Sequence, residues 1–69
     1  MRIKVDLKSD ALYFRISEDR IEESEEIKPG IVVDYAKSGK IVGMEVLGLK
    51  KNFSLAELSS IQVDLPTKS

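Results

Sequence analysis

The chain contains no cysteine, no histidine and no tryptophan. Without cysteine there is neither a disulfide nor a thiolate metal site, and without histidine there is no imidazole base or ligand. A serine nucleophile would then need a lysine partner. The nearest such arrangement, Ser38 beside Lys37 and Lys40, reads as turn chemistry. An excess of one charge is missing too: 11 basic residues face 12 acidic ones, for a net charge of −1. That balance argues against nucleic acid as a partner, because phosphate binding needs a concentrated positive field. No apolar run approaches the roughly 20 residues of a membrane span. The alternating start, Met1-Arg2-Ile3-Lys4, has no signal-peptide core, so the expected compartment is the cytoplasm and no membrane is expected as a partner. Gly39, Gly43 and Gly48 are dispersed and form no phosphate loop.

With 42% hydrophobic and 33% charged residues, the chain has a globular composition. Its 69 residues suffice for one core, and a domain of this size is marginally stable. Disulfides and thiolate or imidazole metal sites are excluded, which leaves oligomerisation as the stabilising device. One domain over residues 1–66 is expected, with 67–69 as a frayed tail.

Apolar residues recur with period two, the signature of strands. The sets are Ile3/Val5/Leu7, Leu12/Phe14/Ile16, Ile31/Val33/Tyr35 and Val42/Met44/Val46. Turn residues separate them, and connections this short imply antiparallel pairing. A Ser9-Asp10 turn would pair Leu7 with Leu12, Val5 with Phe14 and Ile3 with Ile16. A loop over 36–39 would pair Tyr35 with Lys40, Val33 with Val42 and Ile31 with Met44, with Gly39 in a left-handed conformation at its end. The stretch Ile21–Ile27 reads as a charged edge strand in preference to an irregular segment, with Glu23 and Glu25 on its inward side. Ser54-Leu55-Ala56-Glu57 matches a capping box and starts a short helix. Ile61, Val63 and Leu65 alternate as a candidate final strand. The fold class expected is α+β, mainly β: an antiparallel β-meander of about five strands with one short C-terminal helix.

Carboxylates are the main candidates for chemistry. The acidic run Glu18–Glu26 lacks calcium-loop spacing and reads as a solvated edge in preference to a cation site. Asp34 and Glu45, projecting from the second hairpin, define the enzyme alternative, a small metal-dependent hydrolase. Asp10 has a local explanation, since aspartate stabilises turns through its own backbone. No residue reads as catalytic, cofactor-binding or metal-ligating, no cofactor is implied, and the expectation is a protein that is not an enzyme.

Several segments together resemble a small prokaryotic family, domain-of-unknown-function family number 2283. They are Asp10-Ala11-Leu12-Tyr13-Phe14-Arg15-Ile16-Ser17, Glu23-Ser24-Glu25-Glu26-Ile27, Pro29-Gly30-Ile31-Val32-Val33-Asp34-Tyr35 and Gly39-Lys40-Ile41-Val42-Gly43-Met44-Glu45-Val46-Leu47. The likeness covers residues 3 to 50 and implies a β-rich domain with no established activity. It carries over motif positions Asp10, Tyr13, Asp34, Gly43 and Glu45 without a role, and implies an antitoxin-like or partner subunit. The residues themselves point the same way. A second sheet face bearing Ala11, Tyr13, Val32 and Ile41 is more apolar than a face left in water should be. Tyr13, Val32 and Ile41 are therefore the candidate interaction face, for the chain itself (a homodimer or higher) or for another protein.

Overall fold

The computed structural model describes residues 1–66, so the expected tail at 67–69 lies outside the described residues. Five antiparallel strands form one sheet: β1 (Arg2–Asp6), β2 (Ala11–Arg15), β3 (Glu23–Lys28), β4 (Ile31–Tyr35) and β5 (Ile41–Leu47). Two single-turn helices follow, α1 (Leu49–Asn52) and α2 (Leu55–Leu58). The mainly β, α+β class is as the periodicity predicts. The strand order is not a plain meander: it runs β1-β2-β5-β4-β3. β3, β4 and β5 form a local meander, but β5 inserts beside β2, and β3 ends at the far edge. Hairpin signals are local, whereas the β2–β5 pairing joins residues some thirty positions apart and leaves no local trace.

Residues 16–22 carry the chain from β2 to that far edge. Ile16 and Ser17 both donate backbone N–H bonds to the Val42 carbonyl, at 2.7 and 3.0 Å. Arg15 then holds the turn, its Nε donating to the Ser17 carbonyl at 2.7 Å and its Nη2 to that of Asp19 at 2.9 Å. The edge strand expected over Ile21–Ile27 is β3, fully exposed, with Glu25 opposite Val33 and Glu23 opposite Tyr35.

Both hairpin registers need correction. In the first, Val5 pairs with Leu12 and Ile3 with Phe14, two residues away from the expected Leu7–Leu12 alignment. The cause is Asp6. Its Oδ1 accepts the N–H groups of Lys8 and Ser9, and its Oδ2 accepts the Ser9 hydroxyl, which closes a four-residue turn and pulls Leu7 out of the ladder. A slip of two preserves the faces. In the second hairpin Val33 pairs with Met44 and Ile31 with Val46, while Tyr35 pairs with Ile41. A bulge at Val42 absorbs one residue, which moves Ile41 to the Tyr35 side of the sheet. The turn still needs Gly39 at φ 91°. Space is open around that position, so conformation alone sets the penalty. Gly39→Val is expected to cost about 1–2 kcal/mol. An unchanged thermal melt would contradict this assignment.

The helical region also differs. The capping box is present: Ser54 Oγ accepts the Glu57 N–H at 3.1 Å, and Glu57 Oε1 accepts the Ser54 N–H at 2.9 Å. α1 precedes it, unforeseen in the sequence. Its start is held by Asp10, whose carbonyl accepts the N–H groups of Gly48 and Leu49 and whose Oδ1 accepts that of Lys50. Ile61–Leu65 has no regular secondary structure and joins no strand, so the candidate final strand does not form. Close burial is restricted to Ala11, Val33, Val42 and Leu49 among the apolar residues. The molecule is a slab of 40 × 37 × 19 Å with a radius of gyration of 13.7 Å, against about 11 Å for a compact chain of this length.

Candidate functional site

Alternation sorts the sheet into two sides of different chemistry. On one side, two cross-strand rows are apolar. Val5, Leu12, Val46 and Ile31 form the first, and Ile3, Phe14, Met44 and Val33 the second. Of these only Val33 is buried; the others remain partly exposed, Ile3 at 43%. A C-terminal helix is the only element available to roof this side among the described residues. It does not do so: α2 touches only a corner, where Leu55 and Leu58 approach Val5 and Leu7. A one-turn helix is about 6 Å long and cannot roof such a slab. At the β3 edge Lys28 stands opposite Ile31 and Glu25 opposite Val33, so the two rows end on charged residues, and Glu23 lies opposite Tyr35 beyond them.

The other side is polar and holds four of the five motif positions. Tyr13 and Val32 flank Glu45 in one row. Arg15, Gly43, Asp34 and Ser24 form the adjacent row. Gly43 lacks a side chain, and the Tyr13 ring lies over the space this leaves. A Cβ there would stand 2.7 Å from Tyr13 Oη and 2.9 Å from the Phe14 carbonyl oxygen. The Tyr13 hydroxyl is buried without a hydrogen-bond partner. Asp34 is 4% exposed, and its Oδ1 accepts the Ser24 hydroxyl at 2.6 Å. A buried carboxylate and an unpaired phenol both weaken a small fold.

A depression of about 450 Å³ opens beside these groups, with Lys4, Asp6, Tyr13, Ile21, Asp34 and Glu45 among its lining residues. Lys4 has no role in the sequence reading, and Asp6 reads there only as a carboxylate that flanks the first turn with Asp10. Their alternation with Val5 was the available signal, because it places them on the Tyr13 side. Ile21 arrives from the crossover connection, for which the sequence has no signal. Asp10 and Ile41 are not part of this group. Asp10, at φ 57°, secures the start of α1, and Ile41 lies beyond the bulge.

Asp6 has its pKa lowered from 3.8, first by the Ser9 N–H, then by the Ser9 hydroxyl, with the Lys8 N–H and the Lys4 charge adding to the effect. A carboxylate with a depressed folded pKa stabilises the fold above its unfolded value. That contribution is lost as pH falls through the folded value. Melting temperature should therefore drop below about pH 4, and Asp6→Asn should flatten this acid limb. An acid limb of unchanged steepness in Asp6→Asn would show that this turn does not couple to folding. Among the described residues, no group of three or more His, Cys, Asp or Glu is arranged to hold a metal ion.

The model of the family described as "Protein of unknown function (DUF2283)" matches residues 2–50, so the resemblance visible in the motif segments is borne out. Searches of curated proteins and of solved structures return no match. The matched segment contains the whole sheet and the start of α1, while α2 and the residues after it lie beyond.

Proposed function

The chain belongs to the DUF2283 family, and we propose that it is a protein-interaction domain that self-associates through the apolar side of its sheet. The accessible surface carries this reading. It measures 5667 Å², whereas a compact monomer of 7.7 kDa exposes about 4,300 Å². Part of the excess belongs to the exposed stretch before Pro66, and part to a sheet with nothing stacked upon it. The difference, about 1,300 Å², exceeds the roughly 800 Å² per partner that a standard interface buries. Two such sheets facing each other would share a core built from the two apolar rows of each copy. A two-fold axis would place the same rows against each other, the commonest arrangement in homo-oligomers. Glu23 and Glu25 would stay hydrated at the rim.

The Tyr13–Val32 side is the alternative contact surface, and it is the less suited of the two. The protein's own packing already buries the Tyr13 hydroxyl and Asp34 there, and Asp6 and Glu45 would have to be desolvated. The antitoxin-like role is the heteromeric form of the same reading, with a different protein on the apolar rows. No observation favours the metal-dependent alternative built on Asp34 and Glu45.

Gel filtration with light scattering at micromolar concentration should give twice the 7.7 kDa chain mass. Phe14→Lys should shift the protein to monomer while circular dichroism stays β-rich, and Val32→Lys should leave the dimer intact. A wild-type monomer at about 100 μM, where even a weak dimer would populate, defeats the proposal. Dissociation by Val32→Lys alone would transfer the contact to the Tyr13 side.

A further inference from the structure

The strongest unexplained feature is the C-terminal arm, residues 53–65. It carries five large apolar side chains that its own chain leaves open: Phe53 at 44%, Leu55 at 64%, Ile61 at 43%, Val63 at 74% and Leu65 at 80% exposure. Isolated exposed apolar residues are ordinary, but five within thirteen positions are not. The hydrogen bonds of residues 54–60 are local, running from Leu58 to Ser54, Ser59 to Leu55 and Ser60 to Glu57, together with the capping box. Among the described residues none ties 54–66 to the sheet. The arm also begins after the family match ends. The sheet and its Asp10-secured turn are therefore complete without it.

We propose that this arm is exchanged between two copies of the chain, each laying Ile61, Val63 and Leu65 across the apolar sheet face of the other. The inference rests on the self-association reading and names the element that completes the interface. Three observations support it. First, Leu55 and Leu58 of α2 line a shallow depression together with Val5 and Leu7 at the β1 corner, so the arm leaves from the margin of the face it would cross. Second, the reach is sufficient. Six extended residues span about 20 Å, close to the roughly 19 Å between the outer strands of a five-stranded sheet. Alternation over Ile61, Val63 and Leu65 would direct all three side chains to one surface, and Gln62 and Asp64 to the opposite one. Third, the single chain leaves both sets of apolar groups open, Ile3 of the face at 43% and Val63 and Leu65 of the arm at 74% and 80% exposure. Within a single chain, the face and the arm's apolar residues stay apart. A second copy satisfies both at once.

The absence of native cysteine makes a direct test available. The full-length double variant Met44→Cys/Leu65→Cys is oxidised mildly and run on a non-reducing gel beside each single variant. Exchange predicts a disulfide-linked two-chain species well beyond what either single variant gives. A bridged single chain would mean that the arm folds onto its own sheet, and overturns the proposal, as does the absence of any bridge. In parallel, Val63→Asp/Leu65→Asp in the full chain should raise the dimer dissociation constant by more than about tenfold. A wild-type dimer indifferent to those substitutions refutes the exchange while leaving face-to-face association standing. A wild-type monomer refutes both.

Discussion

Leu49→Ala is expected to be the most damaging truncation in the chain, costing about 2–5 kcal/mol. Among the described residues only Leu49 and Val42 have side chains removed almost entirely from water, Leu49 at 1% exposure. A domain of this size starts near the lower end of the 5–15 kcal/mol range of native stabilities, so the loss removes a large share of the total. Each kcal/mol lowers the melting temperature of so small a domain by about 4–8 °C, which places the expected drop at about 10 °C or more. Melts must be compared at one protein concentration, because self-association adds to apparent stability. Leu55→Ala is the control: that side chain is 64% exposed, and its loss should be far milder. Equal melting of the two variants would show that Leu49 does not anchor the end of β5 to the Asp10 turn.

Gly43→Ala is expected to cost on the order of 3 kcal/mol, an overpacking penalty. The added methyl would meet Tyr13 Oη at 2.7 Å and the Phe14 carbonyl oxygen at 2.9 Å, and the second of these is backbone that cannot step aside. Tyr13→Phe alone removes a buried hydroxyl that has no partner, so it should be neutral or stabilising by up to about 1 kcal/mol. Combining the two should recover part of the Gly43→Ala loss, because one of the two close contacts disappears. Neighbouring sites of this kind couple by about 0.5–3 kcal/mol. Urea midpoints for the four proteins measure this coupling. Strict additivity would mean that Tyr13 does not sit over Gly43. A stabilising Tyr13→Phe would also show that the phenol is retained at a cost to the fold, which marks the polar side as the place to look for a ligand contact.

The local features were legible in the sequence because local physics produces them. Period-two alternation identified the strands, and it assigned Glu23 and Glu25 to the apolar side at an edge. The Ser54–Glu57 box needs only four consecutive residues, and Gly39 only its own turn. Asp34, Gly43, Glu45 and Tyr13 could be named as family positions, and alternation could place Tyr13 and Val32 on one face. What alternation cannot show is an inserted residue. The Val42 bulge changes parity at the start of β5, so Ile41 parted from Tyr13 although its spacing in the sequence is faultless. Asp6 reset the first hairpin through side-chain bonds that compete with the ladder, and Asp10 secured a helix forty residues away. The placement of β5 between β2 and β4, which brings Tyr13, Gly43 and Asp34 together, rests on pairings between distant segments. Those are chosen by which faces the whole chain can bury, a quantity that exists only once the sheet is assembled.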